Sequence, residues 1–537
     1  MKKIGKIATS LLIATALLSA CGKSSSDQKK DSATIGLNTE VASLDTLKAQ
    51  DPNSFDVQDT LINGLYKMDG KDTVVPDIAK GMPQKSKNNT VYTINLRHNA
   101  KWSNGASVTA NDFVYAWKRG ANPKTKSNYG YIIQTILKNG EQIAAGKMSP
   151  NKLGVRATGK YQLKVTLQKA TPYFTSLLTF NPYFPQNEKF VEKEGSKYAT
   201  SPSTMIYNGP YRLKSYSQGA STFTVTKNNN YVGSTKAKLK DIKFQIVKST
   251  STGLNQYEAK KLDVTFLSGN LVKNNKDKAG FKSIPNSYVT YLSMNINNKT
   301  YKNLDLRKAL ANTINTKELA NNILADGSKT LTGFVPPKFV KNPATGKDFR
   351  AEGGNLNVPD KSKVASYWKA AQKQLGKKKL SMTLLIDDED WQKTMAQYVQ
   401  SQIEKNMSGA TVTIKSVPQQ QELSDVAAGK YEIALGQWGP DYQDPNTYLA
   451  NYTSGHSNGF NNKQYDALMN KANGKDVNNT AKRYQDLHAA EKLLIQKDAA
   501  LVPLNQQVYS IMQNPDLKGI QHHMVGGPFT YATAYWK

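Results

Sequence analysis

The sequence predicts an α/β protein of at least two lobes with a cleft between them, and three observations carry that reading. Between Leu380 and Trp438 the pattern runs strand (382–386), helix (391–407), strand (411–417), helix (420–428), strand (431–438), an alternation that implies parallel pairing. Elsewhere every second side chain is apolar, at Tyr92, Ile94 and Leu96, at Leu163, Val165 and Leu167, and at Phe244 and Ile246, which is the period of a half-buried strand. Gly and Pro gather at Asn208-Gly209-Pro210 and over 334–347, where the chain should cross between lobes. More than one lobe implies a cleft, the usual place for a ligand.

Size and composition agree. A chain of 537 residues, 38% hydrophobic and 9% aromatic, has the material for two to four packed domains at about 100 to 200 residues each, which excludes a mainly disordered protein. One cysteine excludes an internal disulfide framework and a Cys-rich zinc site. That cysteine follows a sorting signal. Lys2, Lys3 and Lys6 precede an uncharged stretch of 14 residues from Ile7 to Ala20, shorter than the roughly 20 needed to span a bilayer, and Leu18-Ser19-Ala20-Cys21 resembles the lipobox of bacterial lipoproteins. The resemblance implies cleavage after residue 20, lipidation of Cys21 and a flexible tether over 21–32, where GKSSSDQKKDS has no apolar side chain. The protein is then exported and held at a membrane surface.

Three of the +31 formal charges leave with the signal, so +28 remain on the mature chain. In an envelope rich in anionic polymer and lipid this charge favours surface association. Nucleic acid is a poor partner, since the location is wrong and the lysines are dispersed, as at Lys273, Lys276 and Lys278, without an arginine-rich helix or aromatic-interleaved groove.

Further along, Thr109 and Asp112 form a capping pattern that starts a helix through Phe113, Ala116 and Trp117, and 304–324 carries a long amphipathic pattern. Two catalytic look-alikes fail on context. Gly154 to Lys160 resembles a phosphate loop, but Tyr161 replaces the hydroxyl residue and the following YQLKVTLQ alternates like a strand. Gly455-His456-Ser457-Asn458-Gly459 matches a nucleophile elbow, with His488, His522 or His523 as potential partners, yet no strand leads into Ser457. The five histidines form no HExxH pattern, and no metal or cofactor is called for.

One window reverses the charge balance. From Tyr431 to Asn470 there are four acids, Glu432, Asp441, Asp444 and Asp466, against the single base Lys463, interleaved with Trp438, Tyr442, Tyr448, Tyr452, Phe460 and Tyr465. Trp438 and Asp441 fall at the carboxyl end of a buried-looking strand, where open α/β sheets bind ligands, and a carboxylate beside an indole suits an ammonium group. The alternative has Asp441 capping a turn and Trp438 filling core.

Four blocks now carry a resemblance: Glu40-Val41-Ala42-Ser43-Leu44-Asp45 with Asn63-Gly64-Leu65; 96–105 continuing through 109–117; Asn208-Gly209-Pro210-Tyr211; and Leu306-Arg307-Lys308-Ala309-Leu310. Over nearly its whole mature length the chain is similar to the oligopeptide-binding lipoproteins of bacterial peptide ABC transporters, the extracellular solute-binding proteins of family 5. The resemblance implies a periplasmic-binding-protein-like fold of class II. Lobe I would comprise 33–72, 206–295 and 508–537, an extra subdomain 73–205, and lobe II 296–507, with crossings near 296 and 508 acting as a hinge. It implies a monomer that is no enzyme, is anchored at the outer face of the cell membrane and passes oligopeptides to ABC permease subunits. Asp441 would pair with the peptide's α-ammonium, Gln437, Trp438 and Gly439 would offer backbone pairing and an aromatic wall, and Tyr129, Tyr288 and the loop at Gln50 would line pockets. The chain departs from enteric relatives in having only Lys430 as a base from Gln419 to Trp438, so length selection through the peptide carboxylate does not carry over. Alternatives are a receptor of the same fold for another cationic or signalling solute, a surface adhesin, and a hydrolase using Ser457.

Overall fold

The structure, a computed structural model, describes residues 30–537. The expected signal, Cys21 and most of the expected tether lie outside the described residues. The folded body takes hold at Lys30, whose Nζ lies 2.6 Å from Asp263 and 3.9 Å from the centre of the Trp536 ring.

One sheet runs through the molecule, and two long antiparallel strands, Phe281–Met294 and Leu501–Gln513, lie at its middle. On one side follow Val264–Leu267, Ser32–Leu37, Asp241–Ile246, Thr222–Lys227 and Tyr211–Ser215. On the other follow Ile433–Trp438, Leu380–Asp387 and Ala410–Val417, all mutually parallel. The two long strands pair with a one-residue register shift at Thr290–Tyr291 and with a larger bulge, where the partner of Pro285 is Val508 and that of Val289 is Gln506. Proline has no N–H to give the ladder, and the extra residues 286–288 bend the strand there. Before the bulge the pair belongs to the first lobe; after it, Leu292 and Met294 already join the core of the second, several residues before the expected crossing near 296.

The alternating segment folds as its pattern predicts. Leu380–Asp387 pairs in register with Ala410–Val417, and helices Asp390–Asn406 and Gln419–Ala427 make the crossovers. Helix Ala110–Ala121 starts at Thr109, whose backbone N–H donates to Asp112 Oδ2 at 2.6 Å, and buries Phe113, Ala116 and Trp117 along one face. The pattern over 304–324 is not one helix. Leu304–Thr313 ends at Ile314, and Asn315 restarts the chain by accepting from the Glu318 N–H at 3.1 Å, after which Leu319–Leu324 is wound wider than an α-helix. An Asn side chain that caps a new turn competes with continuation of the old one.

The phosphate-loop look-alike is a β-hairpin, Val155–Gly159 against Gln162–Thr166, in the separate four-stranded sheet of the extra subdomain. Ser457 lies in a turn, and helix begins again at Lys463.

Two of the four signature blocks meet inside the first lobe. Asn208 Oδ1 accepts from the Asn63 N–H at 2.8 Å and Asn208 Nδ2 donates to the Asn63 carbonyl at 3.1 Å, while the Gly209 N–H donates to the Leu61 carbonyl. A Cβ at Gly209 would lie 2.5 Å from the Leu61 carbonyl carbon, so the two segments can approach only with glycine there. Asn208→Ala strands two buried backbone groups at about 1–3 kcal/mol each. The unfolding midpoint in urea should fall accordingly, and an unchanged midpoint would contradict this account.

Candidate functional site

The strand Ile433–Trp438 has two edges with different fates. One pairs with the long strand from Met294 to Val289, so that Gln437 faces Thr290 and Trp438 faces Val289. The other meets Leu380–Asp387 only at Ile433 and Ala434. Among the described residues no strand lies against that edge from Leu435 to Trp438, which leaves backbone groups able to pair with an extended chain.

One glycine in the strand and one just past it let aromatic rings close on the backbone. A Cβ at Gly436 would lie 2.6 Å from the Tyr291 ring, and one at Gly439 would lie 2.5 Å from that of Tyr288. Pro440 then turns the chain and Asp441 follows, its N–H donating to Thr447 Oγ1 at 3.1 Å. Its carboxylate accepts at Oδ2 from the Tyr131 hydroxyl, 2.8 Å away. Burial pushes the Asp441 carboxyl up to about 6, against the pull of that hydrogen bond, and no basic side chain contributes.

A cavity of about 40 Å³ lies at this carboxylate, walled by Phe55, Tyr129, Phe180, Tyr288 and Tyr509 together with Met524. The rings meet edge to face, Phe55 with Tyr129 at 5.8 Å and Tyr129 with Phe180 at 4.9 Å between centroids. Burial pushes the Tyr288 hydroxyl up to about 12. The two lobes touch beside it. Tyr173 stacks on Tyr442 at 3.9 Å with planes 6° apart, the Gln443 N–H donates to Ser176 Oγ, and Asn89 donates to Asn478. Next along, Asp444 is held by both guanidinium nitrogens of buried Arg483 at 2.7 and 2.8 Å, which fixes the segment behind Asp441.

Asp441, Gly439, Tyr129 and Tyr288 therefore come together. Trp438 turns its indole onto the second lobe's core, where Nε1 is buried without a partner; Gln437 is exposed. Gln50 is exposed and the cavity wall on that side is Pro52, while Asp51 caps helix Pro52–Leu61 by accepting from the Ser54 N–H at 2.8 Å. Sequence reasoning missed Tyr131, Tyr173 and the loop 523–528, which pins the bulge through the Ser287 hydroxyl donating to the Met524 carbonyl. Only Tyr131 left a trace, as the second aromatic of Asn128-Tyr129-Gly130-Tyr131. His523 binds Asp72 and Thr530, and His488 stacks on Phe349 at 4.0 Å. Among the described residues no group of three or more His, Cys, Asp or Glu could hold a metal ion, and no helix is long and apolar enough to cross a membrane.

The sequence profile of the bacterial extracellular solute-binding proteins, family 5 (middle region), matches residues 73–460. The chain belongs to this family. A dipeptide-binding protein of Lactococcus lactis subsp. cremoris is 34% identical to this family 5 protein over 553 aligned residues, covering 100% of this chain and 99% of the relative. Among solved structures, Listeria monocytogenes OppA bound to peptide superposes with a TM-score of 0.79 at 34% identity, covering 95% of this chain and 99% of that one. The pheromone receptor PrgZ, described with its mode of peptide binding, superposes equally at 0.79 with 32% identity, over 95% and 100% of the two chains. The two-lobed solute-binding fold is thus shared over the whole folded body.

In this family 5 protein the Asp441 carboxyl is held above its unfolded value, so the folded form binds that proton more tightly. The group's contribution to stability falls as pH rises from about 4 to about 6 and is level outside that window. Urea unfolding of wild type and Asp441→Asn across pH 4–8 should show their difference changing only there, with wild type losing ground as pH rises; a pH-independent difference would refute the burial of this charge.

Proposed function

We propose that this chain is the extracellular receptor of a peptide-uptake ABC transporter, closing its lobes around oligopeptides and passing them to the permease. The observation that carries the reading is Asp441, an aromatic-walled carboxylate without a basic partner, standing between the lobes at the end of an unpaired strand edge. The relatives named for dipeptide, peptide and pheromone binding support it over full length.

Every peptide presents an α-ammonium and a repeating backbone, whatever its side chains. Asp441 answers the ammonium; the free edge from Leu435 to Trp438 answers backbone N–H and C=O groups as in strand addition. Side chains are then left to the cleft, which Tyr129 and Tyr288 line and whose rim includes Gln437 and the loop at Gln50. About 40 Å³ at Asp441 admits little more than a water, so peptide enters an opened form and the closed form is selected because both lobes contact it. The bulge at 286–288, with its counterpart between Gln506 and Val508, is where we place the hinge. For the lobes we adopt the division that the resemblance implies, 33–72, 206–295 and 508–537 with the subdomain 73–205, against 296–507, with the first crossing moved to the bulge. A monomer anchored through lipid on Cys21 at the outer face of the membrane completes the reading, and such a receptor returns its ligand intact.

Calorimetry with peptides carrying a free amino terminus tests it. Asp441→Asn removes the charge opposite a buried ammonium, costing about 2–5 kcal/mol, or roughly 30- to several-thousand-fold in affinity. Wild-type affinity should also weaken as pH drops below about 6, where Asp441 takes up its proton before ligand arrives. Native mass spectrometry should find peptide masses on gently purified protein. Undiminished binding by the variant would remove Asp441 from this role.

A further inference from the structure

Among the described residues, one side chain of the opposite lobe hydrogen-bonds Asp441. Tyr131 stands at the start of the short helix Gly130–Gln134, 310 residues away in sequence, yet its hydroxyl spans the cleft to Asp441 Oδ2. The residue is 43% exposed, and its ring lies 5.9 Å from that of Tyr129, so it projects from the first lobe instead of filling its core. Burial and the neighbouring carboxylate hold the phenol well above its usual range, which keeps the hydroxyl a donor. Among the described residues nothing donates to the other oxygen, Asp441 Oδ1.

A phenolic hydroxyl has one proton and also lone pairs that accept. With the proton committed to Oδ2, the phenol oxygen remains an acceptor beside the free Oδ1. An ammonium carries three N–H donors, and these two oxygens offer it partners from different lobes. We propose that Tyr131 is a second recognition group for the peptide's α-ammonium, donating to Asp441 and accepting from the ligand, so that one positive charge is held jointly by both lobes. The inference rests on the peptide-receptor reading above. It separates two contributions to closure. The Tyr173–Tyr442 stack joins the lobes whether or not a charge is present, whereas the Tyr131–ammonium–Asp441 arrangement joins them more strongly when one arrives.

The test is Tyr131→Phe, which keeps the ring and deletes the hydroxyl at an exposed position where folding is not at stake. A tetrapeptide library with free amino termini and the same library Nα-acetylated serve as probes in calorimetry from pH 5 to 8. We expect the variant to bind free-terminus peptides about tenfold more weakly than wild type and acetylated peptides equally well, so that discrimination between the libraries narrows. The pH midpoint for free-terminus binding should rise, because the carboxyl has lost the hydrogen bond that lowers it. Equal weakening for both libraries at an unchanged midpoint would make Tyr131 a closing contact alone and overturn the proposal, as would no change at all. A wild-type protein that treats the libraries alike overturns the Asp441 reading itself, and this inference with it, whatever the variant does.

Discussion

Two strands held to each other through both lobes set the terms for everything else. Phe281–Met294 and Leu501–Gln513 pair on either side of the bulge at 286–288, with a smaller register shift at Thr290–Tyr291, and each lobe builds its sheet outward from its own half of that pair. The lobes are thus continuous in backbone hydrogen bonding and discontinuous in packing, with separate cores. A bend at 286–288, where the hinge is proposed, would move whole layers without breaking either one. The same bulge places Tyr288 against Gly439 and gives the Ser287 carbonyl to the Tyr448 hydroxyl at 2.6 Å, so the proposed hinge and the candidate ligand site share residues. A change at one is felt at the other without any relay between them.

Electrostatics divide the molecule differently. A chain with formal charge +31 keeps an acidic residue that has no basic partner among the described residues at the contact between its lobes. Surface lysines are screened over about 10 Å in salt, while the cleft carboxylate is shielded by aromatic walls and keeps its local field. In the proposed receptor, general attraction to anionic surroundings and selective attraction for a cation would therefore coexist with little interference.

How far the sequence revealed this depends on the range of each interaction. The unit from Leu380 to Trp438 was legible because alternation is a local signal, and residues a few positions apart decide it. The break at Asn315 was not, because hydrophobic periodicity runs straight through a cap whose effect is a single side-chain hydrogen bond. Asp441 stood out as an acid in a basic chain among aromatics. Its burial, and the turning of Trp438 into the core while Gly439 faces Tyr288, depend on strand phase and could not be read from composition. Tyr131 left only a neighbouring aromatic as a trace, and its partner was beyond reach for a simpler reason: nothing within its own stretch of chain refers to a residue 310 positions away. The resemblance to family 5 supplied the two-lobed plan, which local patterns imply only in outline.

The first described residue and the last strand lie side by side. Lys30 sits over the Trp536 ring, and the Trp536 indole N–H reaches the Ser32 carbonyl at 2.8 Å. Any pull from upstream of Lys30 enters the first lobe, where the C-terminal segment also ends, and bypasses the second. In the proposed receptor the first lobe would then be the stator and the second the rotor, with ligand gripped and let go in a fixed frame whichever way the moving half swings.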